Sequence, residues 1–265
     1  LRFIISGGGA LPIHVDEFFD SAGVLLLNGY GLTETSPVLS LRDPRRNVLG
    51  TSGQRLPETE WEVRGEDGKT SLPPGEKGIL WVRGPQVMSG YFRNPEATHR
   101  VLVDGWFNTG DLARLTARDD VIICGRAKDT IVLRGGENVE PEVIEARLLQ
   151  SPFISDVVVV GHTKKHLGAL VIPDREALAA FVPADRNRRG PALPEKTIVN
   201  KILHEEVTRL VSPECGFRVF ERVPRITCLE QSFSVEDGTL TPTLKKRRSV
   251  IEARYAAQIE ALFDG

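Results

Sequence analysis

Cysteine is scarce in this sequence, and long apolar runs are missing. The 265 residues include three cysteines. Cys124, Cys215 and Cys228 are scattered without a CxxC pair or a neighbouring histidine cluster, which argues against a disulfide framework and a structural zinc site. No apolar run approaches the roughly 18 residues that a transmembrane helix needs, and the first residues lack the pattern of a signal peptide. These absences predict a cytoplasmic protein.

A strong net charge of either sign is missing as well. The formal net charge is -2 at pH 7, which gives no general reason to expect a nucleic-acid partner or binding to an anionic membrane surface. The five histidines are dispersed, and no nucleophile elbow is present, so hydrolysis by a Ser/His pair has no support. Any basic site in this chain must therefore be local.

The beginning of the chain has the pattern of a β-α-β unit. An apolar strand at Leu1 to Ile5 leads into the glycine turn 6–9, a helix from about Pro12 to Ala22, and a second apolar strand at Val24 to Leu27. Pro12 suits the first turn of a helix. Because the first residue already belongs to a predicted strand, we expect the chain to begin inside a domain.

The remaining sequence predicts two further regions of different character. From Gly50 to Cys124, short strands alternate with Gly, Pro and Asp-Gly turns, which predicts a small antiparallel barrel or sheet. The elements predicted after this region are a hairpin to Val139, a helix from Pro141, a strand at Val157 to Gly161 and a helix at Glu195 to Leu210.

These elements predict an α/β (α+β) fold in two domains. Residues 1–127 would form the carboxyl-terminal portion of a large α/β domain with a β-rich subdomain. Residues 128–265 would form a small mobile α+β domain. The change in character after Gly125-Arg-Ala-Lys-Asp129 places the predicted boundary near Lys128.

Two glycine-containing segments follow the first two predicted strands. Ser6-Gly7-Gly8-Gly9 leaves backbone amides open to a phosphate or a planar ring, although such runs are more often plain strand-to-helix turns. Asn28 to Glu34 presents its side chains at the carboxyl edge of a sheet, where open α/β folds bind ligands. Tyr30 can stack on a base, Thr33 can bond a phosphate and Glu34 can hold magnesium. A hairpin with solvated Thr33 and Glu34 is an equal alternative.

Two charged segments complete the candidates. Thr109-Gly110-Asp111 places a carboxylate that can accept hydrogen bonds from a ribose diol, and Arg126 on the next strand can reach the same sugar. A surface Asp–Arg pair is the alternative interpretation. Leu240 to Arg248 is a basic cluster whose Thr-Pro-Thr approach favours a positioned Lys245, against a solvated helix start or a nucleic-acid patch. Gly65 to Thr70 ends like a phosphate-binding loop, but its Asp-Gly pair predicts a turn.

Six of these segments follow one another in the order seen in adenylate-forming enzymes. They are Ser6-Gly-Gly-Gly-Ala10, Tyr30-Gly-Leu-Thr-Glu34, Thr109-Gly-Asp111, Gly125-Arg-Ala-Lys-Asp129, Gly136-Glu-Asn-Val-Glu-Pro141 and Lys245. Over essentially its whole length the chain resembles the superfamily of acyl-CoA synthetases, luciferases and peptide-synthetase adenylation domains. Within that superfamily, Leu240-Thr-Pro-Thr-Leu-Lys245 is most similar to the long-chain fatty acid–CoA ligases.

The resemblance implies a two-step ligase reaction. A long-chain fatty acid attacks the α-phosphate of ATP to give an acyl adenylate and pyrophosphate, and the thiol of coenzyme A then displaces AMP. ATP, Mg2+ and coenzyme A are the cofactors and co-substrates that this reaction implies. By position, the nucleotide would be bound by Gly8, Gly9, Ala10, Tyr30, Gly31, Thr33, Asp111 and Arg126.

The resemblance also assigns catalytic and moving parts. Thr33 and Glu34 would act at the phosphates, with Glu34 binding magnesium, and Lys245 would bridge the carboxylate and the nucleotide. The small domain would rotate between the two steps about Lys128 as a hinge. The loop Gly135, Gly136, Glu137 and Asn138 would then approach the thiol.

Several features of the resemblance leave alternatives open. The superfamily's amino-terminal phosphate loop has no counterpart here, so we expect a carboxyl-terminal portion of a longer enzyme that is inactive alone. An acyl carrier protein is an alternative thiol acceptor, for which the loop Arg186 to Arg189 would supply a basic dock. A non-catalytic module of the same fold is another alternative, although retention of Glu34, Asp111 and Lys245 argues against it. The resemblance allows peripheral membrane association and leaves the oligomeric state open.

Overall fold

The chain forms two compact units. The computed structural model describes residues 2–181 and 196–264, and the units are Leu1–Lys128 and Asp129–Gly265. The loop of Arg186, Arg188 and Arg189, predicted as a carrier-protein dock, lies outside the described residues. None of the helices in the described ranges has both the length and the apolar character needed to cross a bilayer.

The first unit begins with a β-α-β segment. Its elements are β1 (Ile4–Ser6), α1 (Ile13–Ser21), β2 (Leu26–Tyr30), β3 (Ser40–Leu41) and β4 (Gln54–Arg55). Strands β1 and β2 are parallel, and the sheet continues antiparallel in the order β1-β2-β3-β4. The predicted order of strand, helix and strand is confirmed.

The boundaries of this segment differ from the prediction. Strand β1 begins at Ile4, not at Leu1, and β2 continues past Leu27 to Tyr30. Two further differences have identifiable reasons. Pro12 stands just before the helix and not within it, and its carbonyl oxygen accepts the first helical hydrogen bonds. The Val24 N–H donates to the Phe19 carbonyl oxygen at 2.9 Å. Val24 is therefore part of the turn that closes the helix, and the second strand begins only at Leu26.

The rest of the first unit is an antiparallel sheet. Its elements are β5 (Glu60–Arg64), β6 (Gly78–Arg83), α2 (Pro95–Val101), β7 (Leu102–Val103), β8 (Trp106–Leu115) and β9 (Val121–Arg126). The strands pair in the order β5-β6-β8-β7, and β9 also pairs with β8. The prediction of an antiparallel β-rich region is confirmed. The buried apolar side chains of its core are Leu39, Trp61, Val63, Leu80, Val82, Phe107, Ala113 and Val121.

Strand β8 carries a polar segment along the buried face of this sheet. Its side chains alternate between buried and partly exposed, so Thr109 and Asp111 lie on the same buried face as Phe107. The Thr109 hydroxyl donates to the Leu80 carbonyl oxygen at 2.7 Å. Gly110 has a φ of +69°, and the register between β6 and β8 is irregular on this stretch. Such irregularities re-aim side chains next to functional sites.

The second unit contains a hairpin, a three-stranded sheet and five helices among the described residues. The elements are β10 (Ile131–Val132), β11 (Asn138–Val139), α3 (Pro141–Leu148), β12 (Ile154–Val160), β13 (Gly168–Pro173), α4 (Arg175–Phe181), α5 (Lys196–Leu210), β14 (Arg225–Cys228), α6 (Arg248–Arg254) and α7 (Ala256–Phe263). The sheet order is β12-β13-β14, with β12 antiparallel and β14 parallel to β13. The predicted hairpin and the helix that opens at Pro141 are confirmed.

The unbroken apolar run of β12 is explained by burial on both faces. Val157 and Val159 pack into a cluster with side chains of α3 and α5. Val158 and Val160 pack into a second cluster with side chains of α6 and α7. A strand covered on both sides needs no polar residue at alternate positions. The strand begins at Ile154, earlier than predicted, because its pairing with β13 continues to Ile154 opposite Pro173.

Candidate functional site

Asp111 is the centre of a hydrogen-bonded group in the first unit. It lies opposite Arg126 in the β8–β9 register, and the Arg126 Nε is 2.8 Å from Asp111 Oδ1. The Tyr30 hydroxyl at the end of β2 donates to Asp111 Oδ2 at 2.5 Å. The Asp111 side chain is 4% exposed, so this is not the exposed surface pair considered as the alternative. Three predicted nucleotide-site residues therefore meet at one carboxylate.

Tyr30 acts in this group as a neutral hydrogen-bond donor. Loss of solvent, the negative charge of Asp111 and the hydrogen bond to it all raise the pKa of the Tyr30 phenol well above its usual value. The phenol therefore keeps its proton throughout the physiological range. From sequence, Tyr30 was predicted only to pack on a base, and its bond to a residue far along the chain carried no local signal.

The glycine turn after β1 exposes bare backbone beside this strand end. Ser6 pairs with Asn28 of the parallel strand β2. Gly7, Gly8 and Gly9 therefore follow β1 at the same edge of the sheet at which β2 ends with Tyr30. Gly8 has a φ of +82°, and a Cβ placed at Gly8 or Gly9 would meet no atom within 4 Å. The turn and the following Ala10 are exposed. A planar or anionic ligand can therefore approach these amides closely.

The loop after β2 is held by tight backbone packing. A Cβ at Gly31 would lie 1.8 Å from the Pro37 carbonyl oxygen, so only glycine fits there without a backbone shift. The buried Thr35 hydroxyl accepts from the Leu32 N–H and donates to the Leu32 carbonyl oxygen, both at 3.0 Å. Gly31 thus has a packing role besides the ligand role predicted for it. Thr35 was not among the sequence candidates.

Thr33 and Glu34 project from this loop beside a second tyrosine. Thr33 is exposed, and Glu34 is partly buried. The Tyr91 hydroxyl donates to Glu34 Oε1 at 2.9 Å, and the Met88 N–H donates to the Glu34 carbonyl oxygen at 2.8 Å. Partial burial and the hydrogen bond to Glu34 raise the pKa of Tyr91. Tyr91 was missed because no motif of the sequence includes it.

The chemistry of Glu34 fits a magnesium ion that arrives with a nucleotide. Within residues 2–181 and 196–264, no group of three or more His, Cys, Asp or Glu side chains is placed to hold a metal. A single carboxylate is nevertheless sufficient for Mg2+, which keeps several waters and takes further oxygen ligands from substrate phosphates.

In the second unit, Lys245 closes a tight loop. The Thr241 N–H donates to the Lys245 carbonyl oxygen at 2.8 Å, and the Lys245 N–H donates to Thr241 Oγ1 at 3.0 Å. Leu244 has a φ of +60° within the turn. Lys245 is exposed, so the loop presents its ammonium group to solvent.

The basic run that contains Lys245 does not form one continuous charged patch. Lys246 Nζ lies 2.6 Å from Asp156 Oδ1, and Arg248 pairs with the buried Glu145. Lys245 and Arg247 are exposed. Arg247 Nη1 also donates to the Gly238 carbonyl oxygen at 3.3 Å. Most of the run is therefore engaged within the unit, which weakens the alternatives of a solvated helix start and a nucleic-acid patch.

The remaining candidates are the proposed thiol-binding loop and the proposed hinge residue. Gly135 to Asn138 lie in the β10–β11 hairpin, where the Leu133 N–H donates to the Glu137 carbonyl oxygen at 2.9 Å and Gly136 has a φ of +90°. Lys128 is exposed in a short 3-10 segment, Ala127–Asp129, at the end of the first unit.

Two family models match this sequence. A model of the AMP-binding enzyme matches residues 1–92, and a model of the AMP-binding enzyme C-terminal domain matches residues 128–189. Together they account for more than half of the chain. The chain belongs to the AMP-binding enzyme family.

Similar curated members of the AMP-binding enzyme family are fatty-acid ligases. The chain is 42% identical over 270 residues to a chloroplastic long-chain-fatty-acid–acyl-carrier-protein ligase of Arabidopsis thaliana, covering 98% of this chain and 35% of that protein. It is 33% identical over 263 residues to a long-chain-fatty-acid–CoA ligase of Mycobacterium tuberculosis, covering 99% of this chain and 42% of that protein. The chain spans less than half the length of these relatives.

A solved structure confirms the fold of this family member. The adenylation domain of a carboxylate reductase from Mycobacterium chelonae matches with a TM-score of 0.82 at 24% identity, over 98% of this chain and 38% of that one. The predicted α/β (α+β) class is therefore confirmed, and the two family models confirm the predicted superfamily. Asp111, Arg126 and Lys245 lie outside both segments matched by the AMP-binding models, so their roles depend on the geometry described above.

Proposed function

We propose that the full-length protein activates a long-chain fatty acid with ATP and transfers the acyl group to a thiol. The carboxylate oxygen attacks the α-phosphorus, pyrophosphate leaves, and the thiol sulfur then attacks the acyl carbon and displaces AMP. The observation that carries the proposal is the meeting of Tyr30, Arg126 and Asp111 beside an open glycine turn. The names of the similar curated proteins support the fatty-acid substrate.

The first unit supplies the nucleotide site of this proposal. The two oxygens of Asp111 accept hydrogen bonds from Tyr30 and from Arg126, and a carboxylate oxygen can accept more than one hydrogen bond, so the same group can bind a ribose hydroxyl. The glycine turn at Gly8 and Gly9, with Ala10, lies against the adenine and the acyl group. The Tyr30 ring packs on the base, while its hydroxyl holds the Asp111 carboxylate that binds the ribose.

The phosphates lie at the loop that contains Thr33 and Glu34. The exposed Thr33 hydroxyl donates to a phosphate oxygen. Gly31, which has no Cβ to collide with the Pro37 carbonyl, lets the loop pack closely enough to place Thr33 at the phosphates. Glu34 would hold the Mg2+ that accompanies the nucleotide, and the ion would supply charge neutralisation at this end of the nucleotide. Tyr91 keeps the Glu34 carboxylate in place through its hydrogen bond.

The second unit supplies the groups that act on the transferring atoms. The exposed Lys245 ammonium binds the fatty-acid carboxylate and the α-phosphate together and stabilises the charge that develops between them. For the second step the unit turns about Lys128, and the hairpin loop Gly135 to Asn138 approaches the thiol. The cytoplasmic location stays a prediction of the sequence.

Carboxylate-dependent exchange of pyrophosphate into ATP tests the proposal. The full-length protein is assayed with a series of fatty and aromatic acids beside its Lys245→Ala variant. We expect exchange with long fatty acids and a fall of about 100-fold or more in the variant, because the charge at the transferring group loses its partner. Absence of exchange with every acid would favour a non-catalytic module of the same fold.

An acyl carrier protein is the second candidate for the thiol acceptor. Its support is the higher identity to the Arabidopsis acyl-carrier-protein ligase, 42%, than to the mycobacterial CoA ligase, 33%. Transfer from the acyl adenylate is measured with each acceptor at equal thiol concentration. Faster transfer to the carrier protein, lost on replacing Arg186, Arg188 and Arg189 by alanine, supports this candidate. Faster transfer to coenzyme A removes it.

A further inference from the structure

Glu145 of α3 is a buried carboxylate to which the proposed reaction assigns no role. Only 6% of the residue is exposed. Its Oε1 accepts from the Val159 N–H at 2.8 Å and pairs with the Arg248 guanidinium. Its Oε2 lies 3.7 Å from Lys246 Nζ. A buried charge is costly unless it is paired and hydrogen-bonded. Glu145 is hydrogen-bonded by β12, and its charge partners Lys246 and Arg248 follow Lys245 in the chain.

The two cations held by Glu145 also attach the chain to the edge of a sheet. Strand β12 is at the edge of its sheet, so one side of its backbone has no partner strand among residues 2–181 and 196–264. Lys246 Nζ donates to the Val157 carbonyl oxygen at 2.6 Å, and Arg248 Nη1 donates to the Val159 carbonyl oxygen at 2.9 Å. These side chains satisfy backbone groups that would otherwise need water or another strand.

Lys245 is the last residue of an internally hydrogen-bonded loop, and Lys246 and Arg248, which bind the edge of β12, follow it. The loop Thr241 to Lys245 has its own backbone hydrogen bonds and therefore its own shape. The direction in which the loop points depends on how it is attached to the unit. Lys246 and Arg248 contribute to that attachment just after Lys245. Arg248 pairs with Glu145, and Lys246 Nζ lies 2.6 Å from Asp156 Oδ1 and 3.7 Å from Glu145 Oε2.

We propose that Glu145 is a positioning residue for Lys245. It holds Arg248 and, together with Asp156, Lys246 in place, and so helps to fix the direction in which the loop presents the Lys245 ammonium group. The inference rests on the proposed adenylating function, and Glu145 acts in it only through Lys245. Misplacement of a catalytic group lowers the rate of the chemical step. Loss of Glu145 should therefore slow adenylation and leave the affinity for the nucleotide unchanged.

The variant Glu145→Gln removes the charge and keeps an acceptor for the Val159 N–H. In the full-length protein, we expect kcat for pyrophosphate exchange to fall between about 10- and 100-fold, with KM for ATP changed by less than about twofold. Glu205→Gln, an exposed change on α5, is the matched control and keeps both constants. An unchanged kcat in Glu145→Gln, or a loss confined to KM, overturns the proposal.

A double variant separates positioning from a general loss of structure. Glu145→Gln added to Lys245→Ala causes no further loss of exchange if Glu145 acts through Lys245, whereas independent effects multiply. Multiplied losses overturn the proposal. Lys246→Met, at a side chain that is 22% exposed, is the second variant for the case in which Glu145→Gln does not fold, and the same non-additivity is expected of it.

Failure of this inference and failure of the proposed function give different results. If the unaltered protein shows no exchange with any acid, the adenylating function fails, and the positioning role fails with it. If exchange collapses in Lys245→Ala while Glu145→Gln and Lys246→Met keep the unaltered kcat, only the positioning role is overturned. Collapse in Lys245→Ala, a partial fall in Glu145→Gln and no further fall in the double variant support both.

Discussion

At the scale of single residues, each buried carboxylate of the described chain is paired with an arginine. The pairs are Asp16–Arg42, Asp111–Arg126, Asp120–Arg46 and Glu145–Arg248. The exposure of the cation separates two kinds of pair. Arg42 is 1% exposed, whereas Arg126 is 36% exposed. The Asp16 pair is closed on all sides and stabilises the fold, and the Asp111 pair keeps a face that a ligand can reach.

The Asp16–Arg42 pair gives a prediction for stability. Asp16→Asn leaves the Arg42 guanidinium buried without its charge partner, which costs about 3–5 kcal/mol in the free energy of unfolding. Denaturant unfolding of the full-length protein measures it. Asp43→Asn is the control, because Asp43 pairs with an Arg45 that is 89% exposed, and such pairs contribute little. A loss for Asp16→Asn as small as for the control would contradict the assignment.

The same pair predicts how stability changes with pH. Burial opposes the charged form of Asp16, but the hydrogen bond and charge of Arg42 and the Gly50 N–H outweigh it, so the pKa of Asp16 is lowered from 3.8. A lowered pKa stabilises the folded state above the unfolded value and loses this stabilisation as the pH falls through the folded value. Below about pH 4, the stability of the unaltered protein should therefore approach that of Asp16→Asn.

At the scale of elements, two glycines in neighbouring turns have different constraints. A Cβ added at Gly31 would collide with the Pro37 carbonyl oxygen, whereas a Cβ added at Gly9 would meet no atom within 4 Å. We expect Gly31→Ala to destabilise the fold by about 2 kcal/mol or more, because the backbone must move. Gly9→Ala should leave the melting temperature within about 2 °C and weaken AMP binding. Thermal unfolding and calorimetry measure both, and equal melting temperatures for the two variants would contradict the packing role of Gly31.

The elements that sequence predicts well are those with a local signal. The glycine turn, the Pro141 helix start and the apolar run of β12 depend on residues that are near one another in the chain. The start of β12 at Ile154 was missed because strand pairing sets it. Pairing across the chain is also why Glu145 and its arginine, 103 residues apart, carried no sequence signal.

In the candidate site, too, the sequence predicted the residues that carry a local signal and missed contacts between distant segments. Asp111 and Arg126 lie on consecutive strands, so a shared ligand could be inferred from their order. The bond from Tyr30 to Asp111 spans 81 residues, and the one from Tyr91 to Glu34 spans 57. Neither contact follows from a motif, because each depends on how separate elements pack in the first unit.

At the scale of the whole molecule, the candidate residues are divided between two units that each have their own core. Those proposed to bind the nucleotide belong to the first unit, and Lys245 and the hairpin loop belong to the second. Each core is built from side chains of its own unit. The proposed two-step reaction therefore needs both units, and Lys128 lies where one ends.

Lys128→Pro tests the proposed hinge. Proline fixes φ and restricts the preceding residue, so a rotation about this position is hindered. We expect the thiol-transfer step to slow by about tenfold more than the adenylation step, because only the former requires the rotated arrangement. Single-turnover assays of the two steps make the comparison. Equal losses in both steps would count against a hinge at Lys128.

In the proposed function, the carboxylate of Asp111, held by Tyr30 and Arg126, binds the ribose of an adenine nucleotide. Calorimetry of the full-length protein with AMP and with 2′,3′-dideoxy-AMP, for the unaltered protein and for Asp111→Asn, tests it most directly. We expect the unaltered protein to prefer AMP by about tenfold or more, and the variant to lose this preference together with most of its affinity. Full affinity and an unchanged preference in Asp111→Asn would contradict it.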